Sequence, residues 1–157
     1  MWRTGWLSAV PVLAVVLVAQ PAAAQFSEAY NFLKAVKDKD GSKATQALDK
    51  PGGNTIVNTT DGDTGETALH IVTRRSDLTW VGFLLGKGAN VNARDREGNT
   101  PLIIAVISRW GEGVSLLTQV KAQLDTQNRL GETALLKAVQ GHDRDNAKVL
   151  IDAGANP

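Results

Sequence analysis

The chain contains no cysteine. Disulfide staples and zinc sites built on thiolates are therefore excluded, and whatever stability it has comes from packing alone. An excess of charge of one sign is missing too. The 157 residues carry 17 Lys plus Arg against 16 Asp plus Glu, and residues 1–24 hold one base, Arg3, and no acid, so the remainder balances at 16 against 16. Nucleic-acid affinity rests on a basic footprint, so this balance argues against it. No basic amphipathic helix stands out, which argues against membrane-surface binding. Long apolar runs are lacking as well: the uncharged apolar stretch Leu7 to Ala19 is 13 residues, short of the roughly 20 that span a bilayer as a helix.

Catalytic signatures are equally sparse. Ser76, Ser108 and Ser115 have no Gly-x-Ser-x-Gly setting, and no glycine-rich phosphate loop occurs. Asp63-Thr64-Gly65 is the tripeptide of aspartic proteases, but that chemistry needs two carboxylates and one copy is present. Asn58, Asp61, Asp63 and Glu66 do not meet the spacing of a calcium loop. The two histidines, His70 and His142, have no third ligand beside them. No catalytic, cofactor-binding or metal-binding residue is expected.

Residues 1–24 form the pattern of a cleaved secretory signal: Arg3, the apolar stretch, Pro21 and the small-residue ending Ala22-Ala23-Ala24. Cleavage after Ala24 is expected, with the mature chain exported to a periplasmic or extracellular compartment and free of the membrane. No cysteine follows the site, which excludes a bacterial lipoprotein anchor.

What the chain does have is repetition. Gly65-Glu66-Thr67-Ala68-Leu69-His70 returns as Gly98-Asn99-Thr100-Pro101-Leu102-Ile103 and as Gly131-Glu132-Thr133-Ala134-Leu135-Leu136, each displaced by 33 residues. The stretches Phe83–Asn92, Leu116–Asp125 and Val149–Pro157 repeat in the same register. A fixed period of this size marks stacked supersecondary units that bury apolar surface only between neighbours. Within a unit, Thr67 precedes an apolar run and is placed to cap a helix, and Pro101 sits where a first helical turn accepts proline. A second helix carries Trp80, Val81, Phe83, Leu84 and Leu85, and Gly88 suits the left-handed turn that ends it. The polar stretch Asn90 to Glu97 then reverses the chain. Each unit is helix, turn, helix, finger.

These motifs resemble the ankyrin repeat family, whose Gly-x-Thr-Pro-Leu-His and Gly-Ala-Asn-x-Asn signatures are nearly met between Gly65 and Asn92, with the likeness extending over residues 27–157. The resemblance implies an all-α repeat solenoid of helix-turn-helix units joined by β-turn fingers. It divides the chain into a divergent N-terminal capping repeat over residues 25–60 and ankyrin repeats over 61–94, 95–127 and 128–157. The last stops where a C-terminal cap is expected, leaving an apolar face on which self-association is foreseen. The first finger is expected to carry one extra residue, and Pro51-Gly52-Gly53 to form a loop. His70 is similar to the family's structural clip between helix start and finger.

The resemblance also implies a non-enzymatic scaffold or adaptor that takes a protein partner on its finger and first-helix side. Carried onto this chain, that side holds Arg74, Arg75, Arg94, Arg96, Glu97, Asn99, Ile107, Ser108, Gln127, Arg129, Leu130 and Gln140. Five are arginines, which suit carboxylate recognition, although Asp61, Asp63, Glu66, Asp95 and Glu132 are near enough in sequence to neutralise them. Likeness to small exported bacterial ankyrin proteins supports the exported setting. The competing readings are a fragment of a larger exported enzyme or ligand-binding protein whose functional part lies beyond residue 157, and a self-assembling structural protein.

Two local expectations concern the third unit. Lys121 stands where its sister repeats have Gly88 and Gly154, so a left-handed turn there strains a residue with a side chain. Gly111 and Gly113 are expected to weaken the helix that holds them. Trp80 falls among core-facing residues, whereas Trp110, at a helix end beside Gly111, is placed for either exposure or turn packing.

Overall fold

The computed structural model describes residues 22–157, so most of the expected leader, residues 1–21, lies outside the described residues. Nine helices follow in order among the described residues: α1 (Ala22–Lys37), α2 (Gly41–Asp49), α3 (Gly53–Ile56), α4 (Ala68–Arg74), α5 (Leu78–Gly86), α6 (Pro101–Ile107), α7 (Gly111–Gln119), α8 (Ala134–Gln140) and α9 (Arg144–Asp152). The only β pairing among the described residues is an isolated bridge between Thr60 and Thr67. None of the described helices is long and apolar enough to cross a membrane.

The helices form where capping and turn chemistry allow. Thr100 and Thr133 accept from the amides of Ile103 and Leu136 at the starts of α6 and α8. Asp77 and Asp143 do the same for Trp80 and Asn146 at the starts of α5 and α9. Each first helix ends in an identical pair of bonds. The amide of Ser76 donates to Thr73 O and that of Asp77 to Val72 O, and the pattern returns at Arg109–Trp110 and His142–Asp143. This is a Schellman ending, with Ser76, Arg109 and His142 all left-handed at φ of 55°, 54° and 54°.

The second helices end likewise, at Gly88, Lys121 and Gly154, with φ of 87°, 63° and 98°. Lys121 thus holds the conformation expected of it.

Two sequence expectations need correcting. Gly53, read as the end of the loop Pro51-Gly52-Gly53, instead opens α3, and a Cβ on it would stand 1.9 Å from Leu48 O, so the glycine lets α3 fold back against α2. Gly111 and Gly113 are not in a helix interior; they open the first turn of α7. Of the two placements open to Trp110, the structure shows turn packing: it is 9% exposed and packs beneath that turn, in the cap position that Asp77 and Asp143 hold in the sister units.

The core lies between neighbouring units, as the period requires. Phe32, Val36, Leu69, Val72, Val81, Leu84, Leu102, Val114, Leu117, Leu135 and Leu150 belong to one buried cluster, with α4 packed on α6 and α6 on α8. Polar stitches recur along the stack: Asn58, Asn92 and Asp125 each accept from the amide of Asn90, Gln123 and Asn156 in the next unit, at 2.7, 2.8 and 2.9 Å.

Candidate partner-binding surface

Each finger is closed by one Asx side chain. Asp95 Oδ1 accepts from the amides of Glu97 and Asn99, and Asn128 Oδ1 from those of Leu130 and Glu132. In the first finger Asp61 Oδ1 accepts from the amides of Asp63 and Thr64 and from the Thr64 hydroxyl. Lys37 also engages the Asp61 carboxylate, and that contact, with the amides, holds it well below the usual carboxylate range. The residues around the Asp-Thr-Gly tripeptide are thus consumed in building a turn. Gly65 N–H reaches back four residues to Asp61 O, whereas Gly98 and Gly131 reach back three, to Asp95 O and Asn128 O. The first finger carries the extra residue expected from the sequence.

The fingers are locked to one another. Arg96 N–H donates to Thr64 O at 2.9 Å, and Arg129 N–H to Glu97 O at 2.8 Å. Gly65 and Gly98, at φ of 71° and 80°, sit under the next finger, so close that a Cβ on Gly65 would stand 2.8 Å from Arg96 N. Rigid registration of this kind lowers the entropic cost of ordering a binding surface.

His70 joins helix start to finger. Thr67 N–H donates to its Nδ1 at 3.2 Å, and Nε2 stands 3.1 Å from Asn99 O. With Nδ1 accepting, Nε2 carries the hydrogen and donates to the carbonyl. Burial pushes the imidazole pKa below its ordinary value, so the ring is neutral at pH 7. This is a structural clip.

The twelve residues singled out by sequence divide in the structure. Asn99 is 4% exposed, and its side chain donates to Asp95 and Glu97 and accepts from Asn128 Nδ2; it is an internal post and not part of a free surface. Arg75 is half-buried and donates to Val36 O at 2.7 Å, tying the second unit to the first. Arg74 pairs with Glu66, Arg94 donates to Gln127 O, and Arg96 to Gly62 O. Among the described residues the pairing of Arg74 is the one neutralisation by an expected acid; Glu132 pairs with Lys137 and Asp61 with Lys37 instead. Arg94, Arg96, Glu97, Gln127, Arg129 and Gln140 are exposed and Ser108 half-buried. Two apolar side chains accompany them, Ile107 at 47% and Leu130 at 82% exposure.

The charge along the finger tips changes sign. Two residues before the finger glycines stand Asp63, Arg96 and Arg129 in turn, so the surface runs from acidic at the second unit to basic at the third and fourth. Sequence reading pooled the arginines and missed this order, though the 33-residue register contains it. Among the described residues no cluster of three or more His, Cys, Asp or Glu is placed to hold a metal ion.

Stacked helix pairs, interlocked β-turn fingers and an imidazole clip define a repeat solenoid of the protein-recognition class. The model of "Ankyrin repeats (3 copies)" matches residues 32–128 and 81–157, and the chain belongs to the ankyrin repeat family. Over 125 residues, 73% of the chain, it is 34% identical to the human ankyrin repeat and SOCS box protein 6, of which it covers 29%. It is 38% identical over 89 residues, 57% of the chain, to the human transient receptor potential cation channel subfamily A member 1, and covers 8% of it. It is 32% identical over 93 residues, 56% of the chain, to the monkeypox virus ankyrin repeat protein OPG189, covering 16% of that protein. The chain therefore spans less than a third of the length of these relatives. Ankyrin repeats are in general protein–protein interaction modules without catalytic chemistry of their own.

Proposed function

We propose that this chain is a non-enzymatic scaffold that binds a protein partner on its finger and first-helix side, in an exported compartment. The observation that carries the reading is the registered row of fingers. It presents Arg96, Arg129 and Leu130 toward solvent on backbone that is already fixed, with Ile107 exposed beside them at the end of α6. Apolar side chains beside arginine are the composition that anchors protein interfaces. The change of sign along the tips orients the partner, whose acidic residues meet the third and fourth units and whose basic residues meet Asp63. Export rests on the leader pattern of residues 1–24.

Affinity capture from the native exported fraction tests the binding, with the protein run beside an Arg96→Glu, Arg129→Glu, Ile107→Asp variant. A partner held by the wild type and lost by the folded variant supports the reading. A partner held equally by both moves the site elsewhere, and no partner at all returns weight to the enzyme or ligand-binding alternative. Mass analysis of the exported chain tests the leader: a mature amino terminus at Gln25 is expected, and retention of residues 1–24 overturns it.

A further inference from the structure

The first helices differ in charge along the partner side, and the 33-residue register shows where. Glu66 pairs with Arg74 in the second unit and Glu132 with Lys137 in the fourth. In the third unit the position of Glu66 is held by Asn99, which is buried, and that of Arg74 by Ile107, which is 47% exposed. No residue of α6 is charged. The middle of the first-helix row is therefore apolar, with an ion pair in the unit on either side of it.

A groove of about 370 Å³ opens beside Ile107, between the end of α6 and α8. That volume lies at the lower end of the roughly 300 to 1,000 Å³ typical of small-ligand sites. Val106 and Ile107 give it an apolar wall, and Arg109, Lys137, Gln140 and Asp143 line the remainder. The charges are unevenly committed. Asp143 accepts from the backbone amide of Asn146 with Oδ1 and from its side-chain amide with Oδ2, at 3.1 and 2.8 Å. Lys137 stands 3.4 Å from Glu132. Arg109 is exposed and has no carboxylate partner among the described residues. Its Nη2 donates to Gly141 O at 2.9 Å, which steadies the guanidinium, while Nε and Nη1 make no hydrogen bond among the described residues.

The chemistry that answers this lining is an apolar side chain beside a carboxylate. Apolar surface removed from water against Ile107 supplies affinity, and a carboxylate suits the open edge of a guanidinium fork. Ile107 and Arg109 are two residues apart, across the turn that ends α6, so the matching groups lie close together in the ligand. The last residue of a chain carries both on one Cα. Inside an extended segment, an acid next to an apolar residue points to the opposite face. Resting on the binding role proposed for this side of the molecule, we propose that the groove seats an apolar carboxyl-terminal residue of the protein partner, with its carboxylate on Arg109.

Nitrogen-15 correlation NMR of the purified protein, titrated with synthetic peptides, tests this. The probe is acetyl-Ala-Ala-Leu with a free carboxylate. It is run beside its carboxyamide, acetyl-Ala-Ala-Ala with a free carboxylate, and acetyl-Ala-Leu-Asp-Ala as the carboxyamide. The expected result is saturable shifts of the amides of Ile107, Arg109, Lys137 and Gln140 with the first peptide. Each of the others should bind more weakly by roughly tenfold or more, the effect of losing a charge-assisted hydrogen bond or a buried leucine side chain. Arg109→Gln and Ile107→Ser, both at exposed positions, should each weaken the first peptide by a similar factor and leave the circular dichroism spectrum intact. No saturable shift, equal binding of either carboxyamide, or indifference to both variants overturns the proposal. Capture through Arg96 and Arg129 is read separately, so a partner held while the peptides fail leaves the binding role standing and overturns the groove alone.

Discussion

The six-membered ring of Trp110 lies over the backbone of Gly113, where a Cβ would stand 2.0 Å from Trp110 Cε3 and 2.3 Å from Cζ3. The glycine is a seat for the indole, and each residue makes sense only with the other. Trp110 caps α7 with no side-chain hydrogen bond, in a position where Asp77 and Asp143 supply one; burial of the ring replaces the cap. Gly113→Ala should therefore destabilise the protein by about 1 to 3 kcal/mol, the usual range for overpacking. In a Trp110→Asp background, where the ring is gone and the cap returns, the same change should be neutral or mildly stabilising, as alanine in a helix is. Urea denaturation of the four proteins checks this. Equal effects in both backgrounds would show that the two residues are not coupled.

The His70 clip makes stability depend on pH. In the unfolded chain an imidazole takes its proton near pH 6.5, while in the folded chain burial lowers that value. As pH falls through about 6.5 the unfolded state gains a proton that the folded state still refuses. The clip's contribution is thus fully present above pH 6.5 and is lost between there and the lower folded pKa, with a slope of at most about 1.4 kcal/mol per pH unit for one proton. Urea midpoints at pH 7.5 and 5.5 should differ in the wild type and in His142→Gln, and should converge in His70→Gln. Carboxylates titrate below this window, so a slope that persists in His70→Gln would place the effect elsewhere.

Much of this architecture was legible in the sequence because the repeat is its own alignment. Gly65, Gly98 and Gly131 marked the fingers, Thr67, Thr100 and Thr133 the helix starts, and the 34-residue step between Val57-Asn58 and Val91-Asn92 the extra residue in the first finger. Features peculiar to one unit were less legible. Gly113 looked like a weak helical residue because its use depends on an indole three residues earlier folding back, and no periodicity encodes that. The left-handed Ser76, Arg109 and His142 escaped notice for the opposite reason: all three units share the conformation, but none uses glycine to announce it. On the candidate surface, exposure divided residues that a family pattern treats alike, since Arg75 and Asn99 turn inward to bond across units while Arg129 and Leu130 remain at the surface.

Lys121 offers a direct measure of strain. At φ of 63° it takes the left-handed conformation that Gly88 and Gly154 hold in the sister units at 87° and 98°, and its side chain is exposed. A non-glycine residue held left-handed costs about 1 kcal/mol or more, against which glycine's extra freedom in the unfolded chain offsets roughly half. Lys121→Gly should raise the melting temperature by about 1 to 4 °C. An unchanged or lower value would show that the turn carries no net strain.

Asn99 and Arg129 separate fold from recognition. Asn99 is buried with its amide shared among Asp95, Glu97 and Asn128, and the asparagine-to-alanine change leaves Asn128 with Glu132 alone as side-chain partner. Loss of such a network costs about 1 to 3 kcal/mol, so Asn99→Ala should lower the urea midpoint clearly while the molecules that stay folded bind the partner with wild-type affinity. Arg129 makes no side-chain hydrogen bond or ion pair among the described residues, and its own tie to the neighbouring finger is its backbone N–H, donated to Glu97 O. Arg129→Glu should leave the midpoint within about 0.5 kcal/mol of wild type, as exposed substitutions do, and reduce partner affinity by tenfold or more, the effect of reversing a charge at an interface. Titration calorimetry with the captured partner checks both. If Asn99→Ala weakens binding at a temperature where it is fully folded, recognition depends on the precise set of the fingers and not on the arginine charge.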